Sequence, residues 1–278
     1  TMKENNKTSG LSIAIQQTMA SYENKMPLIE KKSSSGFTIK IANSLEERES
    51  AFRLAYQVYL SKGYIKENDN KWMVQSYDSN EETVILIVTD KLKNVVASVT
   101  LVFDGATKLP SEKIYGKELN ILRAQNEKIV EISRLVINPR YRNSKEILVL
   151  LFNYLYIFSY YVRSYSCLVI EVNPRHTAYY ESQLHFNAIG VERPCPTVQN
   201  APAILMYLPL IHAQSEVLRF YNNNGLEKKD RFLYSYFLNP EQERLVAYYF
   251  KKQVAPISQE EKLYFGFSET SFGKHICV

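Results

Sequence analysis

A strand–helix–strand pattern in the middle of the chain constrains the fold more than any other feature. Two short apolar runs, 129–137 and 167–172, are each followed by an Asn-Pro pair, at Asn138-Pro139 and Asn173-Pro174. Proline lacks an amide hydrogen and restricts the residue before it, so each run is predicted to be a strand that stops there. Residues 144–164 between the strands are apolar over the length of a buried helix. The pattern predicts an α/β fold.

The flanking segments extend this pattern on both sides. A capping box at Ser44–Glu47 opens a helix that ends at Gly63, and two apolar runs joined by 90–94 indicate a hairpin. The other predicted strands cover 37–42, 83–89, 95–103 and 203–208, and the other predicted helices cover 111–124, 175–184, 212–223 and 240–253. We therefore expect a mixed central sheet with helices on both faces.

Three parts are predicted along the chain. Residues 1–36 are rich in Lys, Asn and Ser and are interpreted as a poorly ordered arm. Residues 37–210 form the α/β domain. Residues 211–278 are interpreted as a helical C-terminal extension, irregular after residue 253, to which no chemistry is assigned.

Composition and charge exclude several classes of protein. The net charge of +5 is mild and its basic residues are scattered, which argues against nucleic-acid binding. No run reaches the roughly 18 apolar residues of a membrane span. The three cysteines lie far apart, and the four histidines form neither an H-E-x-x-H motif nor a His pair at i,i+4. We expect a cytoplasmic protein with reduced thiols, no metal and no bound cofactor.

Polar residues interrupt the first of the two central strands. Glu131, Ser133 and Arg134 stand in the otherwise apolar run 130–137. Burying an unpaired charge costs several kcal/mol, so a structural ion pair or a strand end reaching solvent would explain them. The functional interpretation is a general base, because a protonated amine must lose a proton before it attacks a thioester. Glu131 and Arg134 lie on opposite faces of a regular strand and converge only if that strand is bulged.

A second group of polar residues follows the second central strand. Asn173 and His176 are candidates for binding the pantetheine arm, Asn173 through one of the arm's amides. Tyr179 or Tyr180 could donate a proton to the leaving thiolate, and we assign that role to Tyr180. The alternatives are that Asn173 only caps the turn and that one tyrosine belongs to the core.

Several stretches, taken in order, resemble the long-chain N-acyl amino acid synthases. These are enzymes of the GNAT acyltransferase fold, related to the acyl-homoserine lactone autoinducer synthases, and the order of strands and helices predicted here is that of the GNAT fold. The resemblance covers about residues 37–210, and the stretches that carry it are 51–64, 130–137 and 173–186, followed by Arg193-Pro194 and 201–203.

The resemblance implies transfer of a fatty acyl group from acyl carrier protein to the amine of an amino acid or similar small amine. It implies that the acyl thioester, on carrier protein or coenzyme A, is a co-substrate. Glu131 matches the family's acidic residue on the central strand, and Arg134 matches its partner. Arg53 matches the arginine of the family's first helix, and Asp78 stands where autoinducer synthases have an acidic segment. We assign Arg53, Asp78 and Ser133 to the acceptor side of the site.

Two positions depart from the autoinducer synthases. Thr100 stands where many of them carry arginine, which favours a plainer amine over S-adenosylmethionine, and His185 replaces a common glycine. The alternatives that stay open are an autoinducer-type synthase, a coenzyme A-dependent N-acetyltransferase and a non-catalytic carrier-binding module.

The segment between the central strand and the long helix bears on the acyl donor. Coenzyme A users of this fold hold the pyrophosphate in a glycine-rich loop, but no glycine occurs here from residue 117 to 189. Arg140, Arg142 and Lys145 instead suit the acidic face expected of a carrier protein. The alternative is a solvated basic turn.

An apolar tunnel is expected to hold the acyl chain inside the domain. Its candidate lining comes from the long helix and the hairpin and consists of Leu148, Leu151, Phe152, Leu155, Val99, Leu101 and Phe103.

Overall fold

The computed structural model describes residues 36–222 and 232–267, so the predicted arm, apart from Gly36, lies outside the described residues. The strands are β1 Thr38–Ile41, β2 Val84–Thr89, β3 Val95–Phe103, β4 Ile129–Ile137, β5 Cys167–Val172, β6 Asn187–Ala188, β7 Arg193–Cys195 and β8 Ala201–Pro209. The α-helices are α1 Leu45–Ser61, α2 Glu112–Ala124, α3 Lys145–Ile157, α4 Thr177–Leu184, α5 Leu210–Asn222, α6 Pro240–Gln253 and α7 Gln259–Tyr264.

One mixed sheet runs through the domain in the order β1-β2-β3-β4-β5-β8-β6, with β7 paired to β8. All neighbouring strands are antiparallel except β4 and β5, which are parallel. The α3 helix connects this parallel pair, as the strand–helix–strand pattern requires. The prediction of a mixed sheet with helices on both faces is confirmed.

Alternation along β4 and β5 divides the core between the two faces of the sheet. Val130 and Leu168 face one side, where α3, α5 and α6 pack against the sheet. Ile129 and Val169 face the other side, where α2 covers them. The α1 helix packs on the same face of the sheet as α2 and contacts β3 and β4. Two buried faces explain why both strands read as continuous apolar runs.

The C-terminal residues pack against both faces of the sheet. Leu245 and Phe250 of α6 join the cluster around α3, and Phe265 packs edge-on against Phe52 of α1 with ring centroids 4.9 Å apart. Arg48 of α1 forms an ion pair with Glu261 and both side chains are largely buried. The expectation of irregular structure after residue 253 is wrong for 259–264, where a capping box at Ser258 opens α7.

Among the helices within residues 36–222 and 232–267, none is long and apolar enough to cross a membrane.

Candidate active site

The two parallel strands separate at their carboxyl ends and open a cleft. Residue pairing between β4 and β5 runs from Ile129↔Cys167 to Ile132↔Ile170, yet β4 continues to Ile137 and β5 to Val172. The cleft has a volume of about 1970 Å³, and residues 131–137 and 170–173 both line it. A binding site at the carboxyl ends of parallel strands is the common arrangement in α/β sheets.

A β-bulge accounts for the divergence of β4. The register against β3 shifts between Ser98 and Thr100, and Arg134 takes the left-handed conformation with φ +46°. The extra residue places Arg134 on the face of the sheet that Glu131 occupies. Arg134 donates a hydrogen bond to Thr100, which pairs with Ser133. Ser133 is two residues after Glu131 and therefore lies on the same face. This is the condition under which the sequence predicts that the two side chains converge.

Arg134 makes its ion pair with Asp78 and not with Glu131. The guanidinium donates to both carboxylate oxygens of Asp78, to the Met73 carbonyl at 2.7 Å and to Thr100 Oγ1 at 2.9 Å. Both charged side chains are almost fully buried. The expectation that Arg134 is the partner of Glu131 is therefore corrected, because the bulge points the guanidinium toward the loop before β2. Asp78 holds Arg134 and does not itself line the cleft.

Glu131 is 2% exposed and reaches the cleft from the α2 side. Its carboxylate accepts the backbone N–H of Ser111 at 3.0 and 3.1 Å and the Ser111 hydroxyl at 2.8 Å. Burial raises the pKa of Glu131 to about 8, against the opposing effect of the Ser111 bonds. A carboxyl with such a pKa exchanges a proton near neutral pH, which suits a general base.

Ser133 lines the cleft next to Glu131 along the strand. Its hydroxyl forms a hydrogen bond of 2.9 Å with Tyr77, whose ring lies 5.1 Å from the Arg134 guanidinium. Burial raises the pKa of Tyr77 far above its usual range, so that phenol keeps its proton. The structure thus connects Ser133, Tyr77, Arg134 and Asp78 in one polar group beneath the cleft.

Glu171 is a cleft residue to which the sequence analysis assigned no role. It follows Ile170 on β5, lies on the same face as Glu131 and raises the pKa of Glu131 through charge repulsion. Burial raises the pKa of Glu171, and the Cys195 thiol partly opposes that rise. Glu131 was singled out because it is a carboxylate inside an apolar strand. Glu171 has the same sequence signal and could have been found in the same way.

The residues after β5 line the opposite wall of the cleft. Tyr180 packs against Phe152 and Phe186, and burial raises its pKa well above the usual range. Asn173 Oδ1 accepts a hydrogen bond from the Arg175 N–H at 3.2 Å, so Asn173 does cap the turn. Asn173 also lines the cleft. His176 is exposed at the rim, and partial loss of solvent around its ring, with the charges of nearby Arg175 and Lys62, lowers its pKa.

Arg53 lies outside the cleft, which corrects its assignment to the acceptor side. Its side chain is 45% exposed, forms an ion pair with Glu49 one turn earlier at 2.5 Å, and lies over Trp72. The reason is helical phase: residues 46, 50, 53, 57 and 61 of α1 all face solvent, while 51, 52, 54, 55 and 58 are buried.

The basic segment between β4 and α3 lies at the rim of the cleft. Arg140, Arg142 and Lys145 are exposed, and Arg142 lines the cleft. Ser144 caps α3, its hydroxyl accepting the Ile147 N–H at 3.3 Å. Lys145 lies 3.9 Å from the Tyr236 ring centroid and is less available than the two arginines.

The predicted tunnel lining is mostly solid core, and this expectation is corrected. Leu151, Phe152, Leu155, Val99, Leu101 and Phe103 are all buried in the cluster between the sheet and α3. Leu148 alone of the seven lines the cleft. One turn of α3 separates Leu148 from Leu151 and Phe152, so only the start of that helix reaches the opening.

Comparison with known proteins agrees with this geometry. A family model described as N-acyl amino acid synthase FeeM matches residues 50–209. The structure of FeeM, an N-acyl amino acid synthase from uncultured soil microbes, is 23% identical with a TM-score of 0.56, over 64% of this chain and 93% of that one.

Two acyl-homoserine lactone synthases of known structure are also similar. LasI is 15% identical, with a TM-score of 0.48, over 64% of this chain and 91% of that one. The coenzyme A-dependent synthase BjaI is 16% identical, with a TM-score of 0.48, over 63% of this chain and 84% of that one. No curated protein matches the sequence.

The matched segment 50–209 exceeds half of the 278 residues and contains β4, β5 and every cleft residue of those strands. The FeeM structure shares the fold over 64% of this chain. This chain therefore belongs to the FeeM family of N-acyl amino acid synthases and is an acyltransferase that acts on amines.

Proposed function

We propose that this enzyme transfers a fatty acyl group from an acyl carrier protein thioester to the amine of an amino acid or similar small amine. The observation that carries the proposal is the cleft between the separated strands β4 and β5, which has a buried carboxyl, Glu131, on one wall and a half-buried phenol, Tyr180, on the other.

The acceptor binds on the Glu131 side of the cleft. Its ammonium group must lose a proton before nitrogen attacks the thioester carbonyl, and Glu131, directly or through a water, accepts that proton. Glu171 on the same face adds negative charge, which favours a cationic acceptor there. Ser133 and its partner Tyr77 supply hydroxyl groups for orienting the acceptor.

The thioester binds on the Tyr180 side, with its carbonyl in the gap where β4 and β5 separate. Beyond Ile132, the described edge of β4 that faces β5 has no strand to pair with, so its backbone amides are free to donate to the carbonyl oxygen. Tyr180 keeps its proton at neutral pH and can donate it to the leaving thiolate of pantetheine.

The carrier protein docks at the rim formed by Arg140, Arg142 and the start of α3. The pantetheine phosphate lies near Arg142, and Asn173 and His176 flank the arm as it enters the cleft. A single phosphate needs fewer backbone N–H contacts from this glycine-free loop than the pyrophosphate of coenzyme A does.

The test is a transfer assay with purified enzyme and product detection by mass spectrometry. One acyl group is supplied on carrier protein or on coenzyme A, with a mixture of amino acids and simple amines as acceptors. We expect N-acyl products, formed faster from the carrier-protein thioester and far more slowly by the Glu131→Gln variant.

Two outcomes would contradict the proposal. A higher kcat/KM with the coenzyme A thioester would overturn the choice of donor. Thioester hydrolysis without any N-acyl product from the acceptor mixture would overturn the acceptor class.

A further inference from the structure

Three potential metal ligands meet outside the cleft, on the side of the sheet covered by α3 and α5. His185 follows the last residue of α4, and His212 and Glu216 lie one turn apart on α5. His185 Nδ1 is 2.9 Å from His212 Nε2 and 4.0 Å from Glu216 Oε2, and the three donor atoms lie within 4.8 Å of one another. None of the three lines the cleft.

The spacing of these donor atoms suits a single ion. Bonds of about 2.0–2.2 Å from zinc to imidazole nitrogen and carboxylate oxygen place tetrahedral ligands about 3.3 Å apart. The distances of 2.9 and 4.0 Å bracket that value, and all three donor atoms lie within 4.8 Å of one another, so small side-chain movements would close the site. His212 and Glu216 share one helix face because they are four residues apart.

The backbone at His185 provides an independent observation. This residue has φ +60° at the position after a helix where glycine is the usual choice, because a Cβ is sterically unfavourable there. In this conformation the imidazole contacts His212 of α5. A strained residue whose side chain joins a cluster of ligands indicates a function for that side chain.

The surroundings limit access without closing the site. The Phe232 ring packs edge-on against His185 with centroids 4.4 Å apart, and the side chains of His185 and Glu216 are 25% and 13% exposed. Arg219 donates to Glu216 Oε2 at 2.8 Å, and because a carboxylate oxygen has two lone pairs, the same atom can bind a metal ion while Arg219 stays in place.

We propose that His185, His212 and Glu216 bind one Zn²⁺ or a similar late first-row transition metal ion. Two imidazoles and one carboxylate are typical ligands of such ions, whereas Ca²⁺ and Mg²⁺ take oxygen ligands. The ion connects the end of α4, which carries Tyr180, to α5, and so stabilises that wall of the cleft.

The experiment uses the full chain without an affinity tag, stripped of metal by chelation. Zn²⁺ is titrated in competition with a chromophoric chelator, and Tm is measured with and without Zn²⁺. We expect one equivalent of Zn²⁺ per chain with a micromolar or lower Kd, and a rise in Tm upon binding.

Three variants separate the site from general effects. His185→Gly removes a ligand and relieves the left-handed strain, so its metal-free Tm should stay unchanged or rise while Zn²⁺ affinity falls tenfold or more. His212→Gln should lose the same affinity, and His176→Gln, at an exposed histidine elsewhere, should keep it. Half-saturation only at millimolar Zn²⁺, or unchanged affinity in both His185→Gly and His212→Gln, would overturn the proposal.

Discussion

Glu131 owes its raised pKa to burial in a strand that has apolar neighbours on both sides. The Ser111 hydroxyl and amide partly offset this by stabilising the ionised form. Ser111 thus sets how far the pKa of the proposed base rises. The same residue was missed in the sequence because it lies 20 positions away, at the start of α2.

Glu131→Gln should lower kcat/KM by about 10²–10⁴, because the amide keeps the shape and cannot accept a proton. In the unaltered enzyme, activity should rise with pH through about 8 as Glu131 ionises. Ser111→Ala removes a bond that favours the ionised form, so its profile should move to higher pH. Near-full turnover in a folded Glu131→Gln variant, or an unmoved profile in Ser111→Ala, would show that Glu131 is structural.

Asp78→Asn should destabilise the fold by about 3–5 kcal/mol, because it leaves the Arg134 guanidinium buried without a counter-charge. Glu49→Gln is the matched control, since it breaks the exposed pair with Arg53 and should cost only about 0–1 kcal/mol. Urea unfolding measures both. Equal losses in the two variants would contradict the structural role assigned to the buried pair.

At the scale of elements, the contact between α3 and α6 contains a buried carboxyl. Glu243 of α6 is fully buried, and Asn153 of α3 donates to its Oε1 at 3.0 Å. Asn153 Oδ1 also accepts the Leu238 N–H at 2.9 Å, so one amide joins the long helix to the C-terminal segment. Burial raises the pKa of Glu243 to about 8.

This carboxyl should make stability fall as pH rises. Between the unfolded pKa of 4.5 and the folded value of about 8, the native state keeps a proton that the unfolded chain has lost. The contribution is complete below that window and disappears as pH rises through about 8. Glu131 acts in the same direction, so each carboxyl accounts for part of the slope.

Glu243→Gln should therefore flatten the dependence of unfolding free energy on pH between 4.5 and about 8, by a few kcal/mol. Urea unfolding at several pH values gives the slope. Glu241→Gln, at an exposed position of the same helix, controls for loss of a negative charge. An identical slope in Glu243→Gln and the unaltered chain would refute the assignment.

At the scale of the whole molecule, the proposed carrier docks through charge. Reversing Arg140, Arg142 and Lys145 to Glu should lower kcat/KM for the carrier-protein thioester about tenfold or more at low salt. The loss should shrink at high salt, where exposed charges are screened. The coenzyme A thioester should be much less affected.

The matched control reverses three exposed lysines on other surfaces, at Lys91, Lys117 and Lys251. It changes the net charge of the enzyme by the same amount. If both triple variants lose the same activity, net charge alone is responsible and the docking surface is wrongly placed.

Local sequence signals determined most of the elements in this protein. The strands 129–137 and 167–172 have the predicted bounds, since an Asn-Pro pair stops each one within a residue or two. The caps at Ser44 and Asn239 fix the starts of α1 and α6 in the same way. Glu131 could be singled out because a carboxyl in an apolar strand is costly wherever the strand is placed.

Tertiary structure decided which residues meet. Arg134 pairs with Asp78 across 56 positions, and a bulge in β4 is what turns it there. His185 meets Glu216 only because α4 ends beside α5, and Arg53 faces solvent because of the phase of α1. Caps and proline stops act over a few residues and are written in the sequence, whereas these contacts depend on how strands twist and helices pack across the whole sheet.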